Sequence, residues 1–100
     1  MSRIVYVNGD YVAEADATVS IFDRGFIFGD GIYEVVPVIE GKIVDRQYFL
    51  ERLGRSLAEL SLGWPCSEQD YLAMMEELIA RNKLVEGMVY SQVTRGVADR

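Results

Sequence analysis

The dipeptide Asn8-Gly9 is the sequence feature that most constrains the fold of this chain. It joins two short runs rich in β-branched and aromatic residues, at about 3–7 and 10–13. A type I′ turn needs positive φ at both central positions, and Asn-Gly is the strongest short sequence signal for it. The N-terminus is therefore predicted to form a tight antiparallel hairpin.

A second hairpin and a last strand are predicted further along. The stretch IYEVVPVIEGKIV has a break near Glu40-Gly41-Lys42, where the chain is expected to turn. Pro37 lies inside this stretch, and because proline has no N–H to donate, it predicts an edge strand or a bulge. Residues 14–31 have no regular period and are predicted to be irregular. Residues 88–94, MVYSQVT, predict a final strand.

Two helices are predicted between the strands. Asp45 can cap the first, QYFLERLGRSLAEL, whose apolar stripe has helical spacing: Phe49, Leu53, Leu57 and Leu60. The second follows Pro65, begins after Ser67 with Asp70 three residues on, and ends near Asn82-Lys83. Its inward residues are Leu72, Met75 and Ile79. This order predicts an α+β fold, with a mostly antiparallel sheet and two helices packed on one face.

The composition excludes several classes of function. One hundred residues make one domain, and the single cysteine, Cys66, allows no internal disulfide and no Cys-based metal cluster. There is no histidine, so imidazole ligands and His-based general bases are excluded. A formal net charge of −6 argues against nucleic acid as a partner. Without an apolar run of about 20 residues or a signal peptide, we expect a cytoplasmic protein without a membrane partner.

The segment DRGFIFGDGIYE, residues 23–34, places three glycines beside two phenylalanines. It is not a dinucleotide-binding turn, because Glu34 stands where the third glycine of G-x-G-x-x-G belongs and a strand follows. One interpretation is a glycine-rich turn that leads into a strand. The other is that the glycines let a flat ligand or a second subunit approach the backbone.

Two arginines of the first helix differ in their predicted neighbours. Arg55 has Glu51 four residues before it and Glu59 four residues after it, so an ion pair within the helix can neutralise it. Arg52 has no acidic residue at either spacing and flanks the apolar stripe. Because its fork matches phosphate or carboxylate, an unneutralised Arg52 is a candidate anion site. A solvated surface arginine is the alternative interpretation.

Three blocks of the sequence resemble the N-terminal small domain of D-amino-acid aminotransferases, in the fold type IV class of pyridoxal-phosphate enzymes. They are DRGFIFGDGIYEVVPV, L-E-R-L at 50–53 and YSQVTRGVADR at 90–100, and they occur in the family's order and spacing. The resemblance covers the whole chain, but family members are much longer. It therefore implies that residues 1–100 are a small domain whose large domain is absent.

The resemblance also implies roles for individual residues. Arg52 matches the arginine that binds the phosphate of pyridoxal 5′-phosphate. Tyr33 matches a tyrosine that holds the substrate α-carboxylate, and Arg100 matches an arginine that reaches the partner subunit's carboxylate site in a homodimer. Val35 and Tyr90 match positions that line the pocket. An ordinary place in the core is the alternative for Tyr33, Val35 and Tyr90.

No catalytic residue and no metal ligand are expected in this chain. The family's catalytic lysine needs a desolvated pocket. Neither lysine fits, because Lys42 lies in a predicted turn and Lys83 at a predicted helix end. The large domain would supply that lysine, so the isolated chain is expected to be inactive.

The resemblance implies that the parent protein exchanges the amino group of a D-amino acid with a 2-oxo acid. Branched-chain aminotransferase and 4-amino-4-deoxychorismate lyase share the fold and remain alternatives. So does a non-catalytic interaction module that dimerises through its sheet and the 23–31 loop.

Overall fold

The protein, as a computed structural model, is described over residues 3–97. Within that range it contains five strands and three α-helices: β1 (Ile4–Val7), β2 (Asp10–Ala13), α1 (Arg24–Phe28), β3 (Gly31–Ile39), β4 (Lys42–Ile43), α2 (Arg46–Glu59), α3 (Glu68–Arg81) and β5 (Gly87–Thr94). A single 3-10 turn spans Glu14–Asp16. Every strand pairing is antiparallel, so the predicted α+β class is confirmed.

The N-terminal hairpin forms as predicted. β1 and β2 pair along their whole length, with Val7 opposite Asp10. Asn8 and Gly9 have φ of 48° and 99°, the two positive values of a type I′ turn. The Asn82 side chain holds the hairpin against the end of α3: its Nδ2 donates to the Ile4 carbonyl and its Oδ1 accepts from the Ile4 N–H, both at 2.9 Å.

The second sheet has the strand order β4-β3-β5, with β3 in the centre. Its hairpin turns at Glu40-Gly41 as predicted, with φ of 53° and 73°. β3 is the central strand rather than an edge strand, but its ladder with β4 covers only Val38 and Ile39, so Pro37 lies where this side of β3 becomes an edge. The Pro37 carbonyl accepts from the Val44 N–H at 3.0 Å, so its nitrogen also faces the β4 side. Pro37 therefore ends the β4 ladder after two residues.

Helices α2 and α3 pack on one face of this sheet, and both predicted caps are confirmed. The Asp45 carboxylate accepts from the Tyr48 N–H at 3.3 Å, and the Ser67 hydroxyl accepts from the Asp70 N–H at 3.0 Å. The buried core joins both helices to the inner face of the sheet: Val36, Val38, Ile43, Phe49, Leu50, Leu53, Leu57, Tyr71, Met75, Ile79 and Val89. The apolar stripe thus predicts most of the helical core.

Three details differ from the sequence-based expectation. The segment predicted to be irregular contains α1, which Asp23 caps by accepting from the Gly25 N–H at 2.8 Å. Leu60 and Leu72 are only half-buried. The pattern also missed Tyr71, which is buried in the core and forms a hydrogen bond to the Ser91 hydroxyl.

Candidate functional site

The outer face of the sheet carries the predicted substrate residues. Side chains alternate between the two faces of a strand, so Tyr33 and Val35 of β3 point away from the helices. Val35 lies directly opposite Tyr90 of β5. The Tyr33 and Tyr90 rings stack with centroids 5.6 Å apart and planes 14° from parallel. These three predicted residues are therefore adjacent, and Tyr33 and Tyr90 are 64% and 58% exposed rather than core.

A cavity of about 290 Å³ opens on this face. Its walls come from the glycine-rich segment and from both strands: Gly25, Gly29, Gly31, Ile32, Tyr33, Tyr90 and Gln92. The Tyr90 hydroxyl donates to Gln92 Oε1 at 3.1 Å, so two polar groups lie beside two aromatic rings. An aromatic wall with a few placed polar groups is typical of a small-molecule site.

The glycine-rich segment lies against the end of β5. A Cβ on Gly25 would fall 2.3 Å from Thr94 Cγ2, and a Cβ on Gly31 would fall 2.7 Å from the Val93 carbonyl oxygen. These two positions therefore require glycine for a contact within the chain, which supports the interpretation of a turn leading into a strand. Phe26 and Phe28 are exposed, and the approach of a second subunit to them stays a prediction.

Asp30 ties this segment to Arg95, the residue after β5, by one ion pair and forms a second ion pair within the segment. Its carboxylate accepts from Arg95 Nε at 2.7 Å and from Arg24 Nε at 3.2 Å. Arg95 also donates from Nη2 to the Leu60 carbonyl at 2.6 Å. These hydrogen bonds, that of Arg95 first, hold the pKa of Asp30 below its usual value. The chain then leads toward Arg100, which lies outside the described residues.

Sequence reasoning missed the Asp30 cluster. Asp30 and Arg95 are 65 positions apart, and no periodic pattern joins them. A sequence signal that could have found them is the charge at the matching ends of two predicted strands. Asp30 comes just before β3 and Arg95 just after β5, and antiparallel pairing brings these two ends together.

Arg52 lies on the helix side of β3. Its Nε donates to the Glu34 carboxylate, and its Nη2 donates to the Val35 carbonyl at 2.9 Å. The Tyr48 ring centroid lies 5.4 Å from its guanidinium carbon. The interpretation of Arg52 as an unneutralised cation is wrong, because its acidic partner comes from β3 rather than from its own helix.

The ion pairing of the two arginines is therefore the reverse of the prediction. Within residues 3–97, Arg55 forms no ion pair with Glu51 or Glu59. An ion pair at helical spacing is worth only a few tenths of a kcal/mol, so long exposed side chains often leave it unmade. Arg52 instead gains a partner that is largely buried.

Glu34 is that buried partner. Its side chain is 12% exposed, against 35% for Arg52. Its second carboxylate oxygen accepts from Ser56 Oγ at 3.2 Å. Glu34 thus links β3 to two positions of α2, one turn apart.

The remaining donors of Arg52 fit a phosphate group. Arginine has five N–H donors, and the residues at 3–97 accept from two of them, which leaves three on Nη1 and Nη2. A planar pair of N–H donors matches two oxygens of a phosphate. Arg52 also lines a second cavity, of about 210 Å³: Val36, Pro37, Val44, Asp45, Tyr48, Phe49 and Arg52.

β3 separates the two parts of the predicted site. Arg52 and Glu34 lie on its helix side, whereas Tyr33 and Tyr90 lie on its outer face. Val35 connects them, because its backbone carbonyl accepts from Arg52 and its side chain lies beside Tyr90. The structure therefore places the predicted phosphate residue and the predicted substrate residues on opposite faces of one strand.

Residues 3–97 contain no metal site, no membrane-spanning helix and no buried lysine. Among these residues, no three Cys, Asp or Glu side chains lie close enough together to hold a metal ion. No helix in the described part of the chain is both long and apolar enough to cross a membrane. Lys42 and Lys83 are exposed, so neither occupies the desolvated pocket that the family's catalytic lysine needs.

The fold and this strand-centred site define a class of protein. The chain belongs to the family described as amino-transferase class IV, whose model matches residues 31–100. That match includes β3, α2, α3, β5 and the chain as far as residue 100, and it therefore contains every predicted site residue.

The curated relatives are more specific. The chain is 46% identical to a D-alanine aminotransferase of Listeria monocytogenes serotype 4b over 93% of its own length and 32% of that protein. It is 40% identical to a D-alanine aminotransferase of Staphylococcus epidermidis over 96% of its length and 34% of that protein. The chain thus spans about a third of the length of the curated relatives it matches.

Solved structures agree on the fold. A branched-chain amino acid aminotransferase from T.th, complexed with N-(5′-phosphopyridoxyl)-L-glutamate, superposes with a TM-score of 0.89 at 16% identity over 99% of this chain and 35% of that one. A candidate 4-amino-4-deoxychorismate lyase of Legionella pneumophila gives 0.78 at 26% identity, over 87% of this chain and 32% of that one.

Proposed function

We propose that residues 1–100 are the N-terminal small domain of a pyridoxal-phosphate-dependent aminotransferase that exchanges the amino group of a D-amino acid with a 2-oxo acid. The observation that carries the proposal is the placement of Arg52 and Tyr33 on the two sides of β3, in a chain whose curated relatives include D-alanine aminotransferases. The protein acts as a cytoplasmic homodimer in this proposal.

Each residue then has a defined task. Arg52 binds the cofactor phosphate through its three remaining donors, which are held in one plane. Tyr33 donates its hydroxyl to the substrate α-carboxylate, and Arg100 binds the same group from the partner subunit. Val35 and Tyr90 shape the pocket for the substrate side chain. When bound, pyridoxal phosphate supplies the electron sink for deprotonation at the substrate Cα.

The catalytic lysine lies in the large domain in this proposal. The two exposed lysines of this chain keep their ordinary hydration, so they do not offer the desolvated amine that the reaction uses. The isolated chain is accordingly inactive.

The second candidates have weaker support. The branched-chain aminotransferase structure is 16% identical to this chain, so that likeness concerns the fold alone. The lyase resemblance is closer in sequence, at 26%, but well below the 46% of the Listeria enzyme. A non-catalytic dimerising module draws support from the exposed Phe26 and Phe28, yet an enzyme dimer would use the same surface.

Removal of Arg52 tests the phosphate half of the proposal. In the full-length protein, Arg52→Ala should weaken pyridoxal 5′-phosphate binding by about 1.5–3 kcal/mol, the scale of a charge-assisted hydrogen bond. Fluorescence titration measures the dissociation constant of pyridoxal 5′-phosphate, with the catalytic lysine of the full-length protein left in place. Arg55→Ala is the matched control, since Arg55 lies one turn along the same helix without an ion pair to its helical neighbours. Equal affinities for wild type and Arg52→Ala would contradict the assignment.

A further inference from the structure

Glu34 places a carboxylate directly against the arginine proposed to bind phosphate. It contacts Arg52 Nε with one oxygen and Ser56 Oγ with the other. A carboxylate beside a phosphate site opposes the binding of a second anion. These contacts join β3 to α2 and stabilise the fold, but a carboxylate at the position of an anion site needs a further explanation.

The contacts of Arg52 supply that explanation. A free arginine side chain loses close to 2 kcal/mol of rotamer freedom when it is ordered. Here the guanidinium is already fixed at three points: Nε on Glu34, Nη2 on the Val35 carbonyl and one face near the Tyr48 ring. The Arg52 side chain is therefore already ordered in the protein without its cofactor, and an incoming phosphate does not have to order it again.

The Val35 carbonyl is part of the same arrangement. In a strand, carbonyls two residues apart face the same side, and the Pro37 carbonyl faces β4. The Val35 carbonyl therefore faces the edge of β3 that β4 leaves uncovered after two residues. Arg52 covers this edge, and the direction of its guanidinium is set by backbone as well as by Glu34.

We propose that Glu34 is a positioning residue, which orients Arg52 so that the Nη1 and Nη2 donors face the cofactor phosphate. This inference rests on the proposed function. Ser56 supports the arrangement by binding the second oxygen of Glu34 from the next turn of α2. The role belongs to the hydrogen-bond acceptor of Glu34 rather than to its charge, because the charge itself repels phosphate.

The affinities for pyridoxal 5′-phosphate and for pyridoxal distinguish this role of Glu34 from a purely structural one. In the full-length protein, Glu34→Ala should weaken pyridoxal 5′-phosphate binding about tenfold, as expected for the loss of one charged hydrogen bond. Binding of pyridoxal, which lacks the phosphate, should stay within about twofold of wild type. Glu34→Gln keeps an acceptor for Arg52 and should restore the phosphate affinity to within about threefold. Glu51→Ala, an exposed carboxylate next to Arg52 in sequence, is the matched control and should change neither constant.

A double variant tests whether Glu34 acts through Arg52. If it does, Arg52→Ala combined with Glu34→Ala should bind pyridoxal 5′-phosphate no more weakly than Arg52→Ala alone. Additive losses would overturn the inference. So would equal losses for pyridoxal and pyridoxal 5′-phosphate in Glu34→Ala.

The outcomes distinguish this inference from the proposed function. Unchanged affinity in Arg52→Ala would remove the phosphate assignment itself. A loss in Arg52→Ala with wild-type affinity in Glu34→Ala would overturn only the role of Glu34. If Glu34→Ala does not fold, Ser56→Ala replaces it, with an expected phosphate-selective loss of about threefold. A Ser56→Ala protein with unchanged affinity would then count against the proposal.

Discussion

Tyr33 and Glu34 are sequence neighbours with opposite surroundings. Tyr33 is exposed on the outer face and stacks on Tyr90, whereas Glu34 is largely buried against α2. The alternation of side chains along β3 produces this difference. In the proposed function, this strand therefore contributes to substrate binding on one face and to cofactor binding on the other.

Tyr33→Phe tests the substrate side of the strand. In the full-length protein this change removes one hydroxyl and keeps the stacked ring, so we expect about 1 kcal/mol of weaker substrate binding, the usual value of one hydrogen bond. If the proposed function holds, the KM for a D-amino-acid substrate should rise several-fold while the affinity for pyridoxal 5′-phosphate stays unchanged. Tyr90→Phe is the comparison, since its hydroxyl already donates to Gln92. A Tyr33→Phe protein that lost its cofactor instead would place Tyr33 at the phosphate end.

At the residue scale, sequence reasoning succeeded where one element or a known motif decided the outcome. The two strands that bring Tyr33, Val35 and Tyr90 together followed from the sequence pattern, whereas the roles of these residues stay predictions. The partner of Arg52 did not follow from the pattern, because Glu34 is 18 positions away and comes from another element. A helical wheel contains only the helix's own residues, and so it assigned the ion pair to Arg55.

The glycine-rich segment and the end of β5 form one unit at the scale of elements. Asp30 joins them, and Arg95 of this unit also holds the end of α2 through the Leu60 carbonyl. The described chain ends at residue 97, shortly after this unit. The contacts around Asp30 therefore join α1, the end of α2 and the residues that follow β5.

Acid should weaken this unit. The pKa of Asp30 is lowered in the folded protein, chiefly by the hydrogen bond from Arg95. A lowered pKa stabilises the fold above the unfolded value of 3.8, and that stabilisation is lost as the pH falls through the folded pKa. Asp30→Asn should therefore lower the Tm of the full-length protein at pH 7 by a few degrees at most, and the difference from wild type should shrink below pH 3.8.

Thermal unfolding monitored by circular dichroism across that pH range measures the effect. Asp16→Asn, in the exposed 3-10 turn, is the control and should leave the Tm unchanged at both ends of the range. An Asp30→Asn protein with a constant Tm difference at every pH would contradict the linkage.

Sequence prediction was most successful for the long helices, in which the apolar residues repeat over several turns. The stripes of α2 and α3 extend over four turns each, and their caps follow from single side chains. Helix α1 has five residues, too few for a period to appear, and its glycine lowers helix propensity. Its helix is held instead by contacts to the residues that follow β5, which no local pattern contains, including the Arg24 N–H donating to the Gly96 carbonyl at 2.7 Å.

The whole domain leaves its outer sheet face and the segment before β3 uncovered. The exposed apolar side chains of this region are Val19, Ile21, Phe22, Phe26, Phe28, Tyr33, Ile39, Met88 and Tyr90. Contiguous apolar surface beyond a few hundred Å² usually marks an interface. In the D-alanine aminotransferase of Listeria monocytogenes, the part that this chain matches is only 32% of the sequence.

An isolated polypeptide of residues 1–100 should therefore associate with itself. A net charge of −6 opposes this only partly, since repulsion is screened over about 10 Å in ordinary buffer. Sedimentation velocity should show a coefficient that rises with concentration, together with binding of the dye ANS. Phe26→Ser with Phe28→Ser should reduce both signals. A single ANS-negative monomer at every concentration would contradict the interface role of this surface.

The contact between Asn82 and Ile4 has a consequence for the order of folding. It closes a loop of 78 positions, whereas the hairpin that it holds is entirely local. At about 5–20 residues per second, a ribosome adds that length of chain in roughly 4–16 seconds, while a hairpin forms within microseconds. During that interval the hairpin has only its own marginal stability. The hairpin therefore gains its place in the domain only after the end of α3 has been synthesised.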